Sequence, residues 1–102
     1  MKFDIIKKAK QYNQEKVECI DVIKDLSFTI GSAIKYFWRR NYKNKPLEDL
    51  QKCLYYLDIC GDFSIKLKKK LKDKTLEYFL ECSMEDKVLL VKTLIEDLKG
   101  IK

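Results

Sequence analysis

No histidine occurs anywhere in the 102 residues, and only three glycines and one proline do. Each shortage removes a class of protein. Without an imidazole there is no ready general base near neutral pH, so triad hydrolases and Cys–His nucleophile pairs are excluded. Three glycines cannot build a glycine cradle for phosphates, and neither a G-x-x-x-x-G-K-[ST] P-loop nor a G-x-G-x-x-G turn is present. Sheets need turn residues every few positions, so the same scarcity favours long helices joined by short connections. The four cysteines, Cys19, Cys53, Cys60 and Cys82, form no C-x-x-C pair. A zinc site would need all four thiols from distant segments, so no zinc is expected and the thiols read as small core residues of a reducing cytosol. No stretch approaches membrane-spanning length, and Met1 to Lys10 has neither the apolar core nor the cleavage signature of a signal peptide. The expected setting is therefore cytoplasmic, with no membrane partner.

What is present is one domain's worth of apolar matter. Hydrophobic residues make up 46% of the chain, enough for one core, and the length is too short for two. The formal charge is +6. That excess favours a phosphate-bearing or acidic partner, although a lysine-rich surface also serves solubility alone.

Periodicity places the elements. Phe3 to Gln14 reads as a weak amphipathic helix or an arm. A clearer helix starts near Glu18, with Cys19, Val22, Ile23 and Leu26 at helical spacing. Ser27 to Gly31 reads as a bend, followed by a helix through about Arg40. On it Ile30, Ala33, Ile34, Phe37 and Trp38 make the buried stripe, and Lys35, Arg39 and Lys43 project from the other side. Pro46 suits the first turn of a fourth helix carrying Leu47, Leu50, Leu54 and Leu57. Gly61 is expected to end it, with Asp62 or Ser64 capping a continuation. The strongly basic stretch Lys66 to Lys74 comes next, then a short helix around Leu76 to Cys82. Ser83 caps a last helix with Val88, Val91, Leu94, Ile95 and Leu98 on one side, closed by Gly100. The fold class is all-α, an irregular bundle of five or six helices in a single domain over residues 1–102. Leu89 is expected to be exposed, which makes a homo-oligomer an open expectation.

The candidates for chemistry are carboxylates and cations on neighbouring helices. Glu18 and Asp21 lie one turn apart and can converge on one cation; Glu48 and Asp49 open the fourth helix. Magnesium takes hard oxygen ligands and keeps several waters, so Glu18, Asp21 and Asp49 are its candidate ligands. Lys35 and Arg39 would neutralise the rest of a phosphate's charge, and Tyr36, Trp38, Tyr55 and Tyr56 offer surfaces for a base to stack on. Plainer readings stand beside these. First-turn acids are ordinary dipole partners, the cations opposite the stripe make an ordinary solvated face, and Trp38 fits the core.

The run Gln11-Tyr12, Glu18-Cys19-Ile20-Asp21, Gly31-Ser32-Ala33-Ile34-Lys35-Tyr36-Phe37-Trp38-Arg39 and Glu48-Asp49-Leu50-Gln51-Lys52-Cys53-Leu54-Tyr55-Tyr56-Leu57 resembles a small phage-encoded family known as nucleotide kinase-like or as of unknown function. That family's pattern is H-Y, E-C-I-D, G-N-A-I-K-Y-L-W-R and E-D-L-x-K-A-x-W-Y-L, in that order. The resemblance implies a phage or prophage origin, an all-helical fold and handling of nucleoside monophosphates, with residues 11–60 as the family-like core and 61–102 of unassigned role. Carried over by position, it marks Glu18, Asp21, Lys35, Tyr36, Trp38, Arg39, Glu48, Asp49, Lys52 and Tyr56. Charge then assigns Lys35, Arg39 and Lys52 to phosphate, and Tyr36 and Tyr56 to base stacking. Two positions depart from the pattern: the family's His is Gln11 and its Asn is Ser32. Gln11 cannot accept a proton near neutral pH, and Ser32 loses the amide's paired donor and acceptor.

Two functions follow. The first is a magnesium-dependent nucleotide-binding protein, a nucleotide kinase if active. The second is a catalytically inactive phage protein that binds and inhibits a host macromolecule such as a defence nuclease, in the manner of an anti-CRISPR protein. In that case Lys66, Lys68, Lys69, Lys70, Lys72 and Lys74 would make the contact, unless they are simply a solvated helix face. Direct nucleic-acid binding is the weaker expectation, because no reading helix is evident.

Overall fold

A computed structural model describes residues 17–42 and 44–100, and within them the protein is all-α, an irregular five-helix bundle with no strand. The helices are α1 (Cys19–Ile23), α2 (Phe28–Arg39), α3 (Pro46–Ile59), α4 (Lys74–Glu81) and α5 (Met84–Lys99). The segment Phe3 to Gln14, with Gln11, and the cation Lys43 lie outside the described residues.

Local chemistry sets the helix ends. The Ser27 hydroxyl accepts from the Ile30 amide at 3.3 Å, so Phe28 to Gly31 become the first turn of α2 and the bend expected over Ser27 to Gly31 does not form. Pro46 occupies the first turn of α3, where its missing amide costs nothing. Asp73 caps α4 through the Leu76 amide at 3.0 Å, and Ser83 caps α5 through the Asp86 amide at 3.2 Å. Gly100 closes α5 at a φ of 75°, a left-handed value that suits glycine.

The core is one cluster. Ala33, Ile34 and Phe37 of α2 meet Leu50, Cys53 and Leu57 of α3. Leu71 from the chain just before α4, Leu76, Phe79 and Leu80 of α4, and Val91 and Ile95 of α5 complete it. The Phe37 and Phe79 rings lie parallel with centroids 4.0 Å apart. Ile30 and Trp38, expected in the α2 stripe, are half-buried and pack against the cluster.

The chain between α3 and α4 departs from expectation. No helix continues through Asp62 or Ser64, and residues 60–73 run without regular structure. Phe63, Ile65 and Leu67 are half-buried while Ser64, Lys66 and Lys68 are exposed, an alternation of extended rather than helical chain. Ser64 donates its hydroxyl to the Glu81 carbonyl at 2.8 Å, and the Ile65 amide donates to the Leu80 carbonyl at 2.8 Å. The basic run therefore does not form a helix face; of its lysines only Lys74 enters a helix.

Lys87 of α5 is fully buried. Its Nζ donates to the carbonyls of Leu80 and Cys82 and lies 4.5 Å from the Phe63 ring centre. The end of α4 thus has its carbonyls satisfied from two sides, by the extended segment and by α5.

Candidate functional site

α2 and α3 pack along one another, and their outer edges bring together most of the residues carried over by resemblance. Lys35 and Tyr36 are neighbours on α2, Arg39 follows one turn later, and Lys52 and Tyr56 lie one turn apart on α3. The Tyr36 ring is the meeting point. Lys35 Nζ lies 5.0 Å from its centre, Arg39 Cζ 5.5 Å and Lys52 Nζ 5.4 Å. All three distances fall within cation–π range, and the ring's negative faces offset part of the mutual repulsion. Tyr56 lies nearly parallel to Tyr36, at 8° with centroids 5.9 Å apart. The two tyrosines expected to stack on a base therefore stack first on each other.

Arg39 and Lys52 also form the wall of a recess of about 210 Å³ at the start of α3, completed by Asn44, Lys45, Glu48 and Asp49. Lys45 is the residue before the first turn of α3 and supplies no side-chain cap. The amino-terminal end of that helix therefore adds partial positive charge to the three cations around the opening. Glu48 pairs with Lys52 at 3.2 Å across one turn. That hydrogen bond, with the lysine's charge, holds the Glu48 carboxyl below its usual range and pushes the Lys52 ammonium up. Lys52 consequently stays charged at any physiological pH.

Asp49 stands apart from its neighbour. It is only 4% exposed, and its Oδ2 is enclosed with no hydrogen-bond partner. Arg39 Nε, on the same recess, is likewise enclosed and unpartnered. The carry-over marked Asp49 and Arg39, but nothing in periodicity told that either would be left unsatisfied. Asn44 and Lys45 belong to no helical stripe and are not among the candidate residues of the sequence. The Lys-Pro step before an acidic first turn was their available signal.

The expected metal ligands are not gathered. Asp21 Oδ2 accepts from the Glu18 amide at 3.2 Å, which places both residues in the amino-terminal cap of α1. Asp21 borders a second recess, of about 460 Å³, beside Val17, Ile65 and Leu67. Asp49 lies at the first recess. Among the described residues no three His, Cys, Asp or Glu side chains group closely enough to hold a metal ion. The lysines at 66, 68, 70, 72 and 74 are exposed along and just after the extended segment, away from the 210 Å³ recess. No helix among the described residues is long and apolar enough to cross a membrane.

Fold and site together define a small all-helical protein with a cation-lined recess between two packed helices. Residues 6–58 match the model of a family described as a protein of unknown function (DUF3310), and the chain belongs to that family. The match takes in α1, α2 and all of α3 but its last residue, and with them every residue of the 210 Å³ recess. No curated protein and no solved structure matches the chain.

Proposed function

We propose that this is a phage or prophage protein that binds nucleotide phosphates at the recess between α2 and α3, as the nucleotide kinase-like proteins it resembles would. One observation supports it most: Arg39 and Lys52, which share the Tyr36 ring with Lys35 at 5.0 to 5.5 Å, also line the recess together with Lys45. Cations held that close repel one another, and a phosphate seated among them relieves the repulsion while gaining charge-assisted hydrogen bonds. The neighbouring end of α3 acts in the same sense. Magnesium in this reading arrives on the nucleotide rather than on a preformed carboxylate trio, because Glu18 and Asp21 are engaged at the cap of α1. Phosphoryl transfer needs little from a protein beyond positioning and charge neutralisation, so the absence of histidine is compatible with a kinase.

A panel of nucleoside mono- and triphosphates, each with and without magnesium, tests this by thermal shift. Stabilisation by at least one nucleotide that is lost in Arg39→Ala and Lys52→Ala is expected. No shift with any nucleotide, with or without the metal, removes the reading.

A second reading has its own support. Lys66, Lys68, Lys70 and Lys72 stand exposed along a non-helical stretch, a form suited to an acidic groove or a nucleic-acid backbone on a host macromolecule. In that case the chain inhibits a host factor without catalysis. Replacing these four lysines by serine should then abolish capture of the partner from host extract; capture that survives the replacement counts against it.

A further inference from the structure

We propose that Asp49 is a specificity residue of the recess, whose carboxylate accepts a hydrogen bond from a sugar hydroxyl of the bound phosphate ester. This rests on the phosphate-binding reading above and extends it to the part of the ligand beyond the phosphate.

The observation is a mismatch in an otherwise cationic recess. Asp49 lines it, is 4% exposed, and has an enclosed Oδ2 without a partner; Arg39, on the same wall, has an enclosed Nε without one. Buried polar atoms are nearly always hydrogen-bonded, so an orphaned acceptor and an orphaned donor at one recess point to a ligand that offers both complements. A phosphate monoester near neutral pH is almost wholly an acceptor, its second ionisation lying near a pKa of about 6. It therefore satisfies Arg39, Lys45 and Lys52 and is repelled by Asp49. The donor must come from elsewhere on the same molecule.

Size limits where. Pockets that enclose a whole drug-sized ligand run from about 300 to 1,000 Å³. The recess, at about 210 Å³, admits a phosphate and the adjoining sugar and leaves a base outside. The neutral donors nearest a phosphate in such a ligand are the sugar hydroxyls. A site that leaves a buried carboxylate unpaired when the hydroxyl is missing discriminates strongly against the analogue without it.

The test is calorimetric titration of the full chain, run once with EDTA and once with magnesium, with a nucleoside 5′-monophosphate and its 2′,3′-dideoxy counterpart. The dideoxy compound is expected to bind at least about tenfold more weakly, as for loss of one hydrogen bond to a charged group. That ratio should shrink in Asp49→Asn, which keeps a neutral acceptor, and vanish in Asp49→Ala. Asp49→Asn carries the assignment where Asp49→Ala fails to fold, and the unaltered protein alone suffices to overturn it. Equal binding of the two compounds overturns the role of Asp49 and leaves phosphate binding standing. Binding of neither overturns both. Binding that requires magnesium and ignores the hydroxyl makes Asp49 a metal ligand and overturns the proposal.

Discussion

Arg40 and Asp73, 33 residues apart, are joined by one guanidinium nitrogen that donates to both carboxylate oxygens, at 3.0 and 2.9 Å. The other terminal nitrogen of Arg40 donates to the Phe37 carbonyl at 2.9 Å, and the guanidinium carbon lies 4.2 Å from the Phe37 ring centre. Asp73 also caps α4. One carboxylate therefore ties the end of α2, where positive charge suits the helix dipole, to the start of α4. Removing one partner of a buried pair strands the other. Because Asp73 is about one-third exposed, Arg40→Ala and Asp73→Ala should each cost about 2–4 kcal/mol, somewhat below a fully buried pair. Asp73→Asn keeps the cap and should cost less. Urea unfolding of the three variants and of the double variant checks the order, and the double loss should be smaller than the sum.

Two glycines should answer the same substitution with opposite signs. Gly31 sits inside α2 without a positive φ, and a Cβ there would meet Ile23 Cβ at 3.5 Å, an ordinary contact. Gly31→Ala should stabilise by about 0.5–1 kcal/mol through helix propensity. Gly100 holds a φ of 75° at the end of α5, and Gly100→Ala should destabilise by about 1 kcal/mol. Melting temperatures of the two single variants decide both.

Alkaline pH should loosen the fold through its thiols. Burial pushes Cys19 up to about 11 from 9.0, and raises Cys53, Cys60 and Cys82 as well. Unfolded thiols then ionise first, so stability that is complete below pH 9 falls as pH rises toward 11. Lys87 acts the other way. Its pKa is lowered by burial, so the unfolded chain holds the extra proton and this group's contribution rises with pH toward 10.5. Denaturation across that range should show a shallower loss in Cys19→Ala and a steeper one in Lys87→Met.

The segment between α3 and α4 should separate charge from packing. Lys66, Lys68, Lys70 and Lys72 are exposed, and replacing all four by serine should move stability by less than about 1 kcal/mol. Ile65 is half-buried against the core, and Ile65→Ala should cost about 2 kcal/mol, near the low end for such a truncation. Equal effects in chemical denaturation would show that the alternation does not anchor this stretch.

Short-range order in this chain is written in its sequence, and long-range pairing is not. Helices α3 and α5 were legible because Leu50, Leu54 and Leu57, and Val88, Val91 and Ile95, repeat at helical spacing between local stop signals. The bend expected at Ser27 failed because serine before an apolar run is equally a cap, and the Ile30 amide decides between them. The basic run was misleading for a different reason. Its lysines drew attention, while Phe63, Ile65 and Leu67 two residues apart carried the true period. At the site, the cations were legible from charge and resemblance. Their convergence on Tyr36 was not, since it depends on the angle between α2 and α3. Nor could any local pattern pair Arg40 with Asp73.

The way α4 is held has a consequence for the family-matched part of this chain. The helix is eight residues long, too short to persist unaided in water, and its last carbonyls are engaged by Ser64, Ile65 and Lys87. Yet Phe79 and Leu80 on it, with Val91 and Ile95 on α5, cover the apolar faces of α2 and α3. The family match ends at residue 58, before any of this covering begins. A chain reduced to the family segment would leave Phe37, Leu50 and Leu57 facing water. In this chain, then, the family segment supplies the recess, and the residues beyond it supply the apolar cover under which that recess can exist.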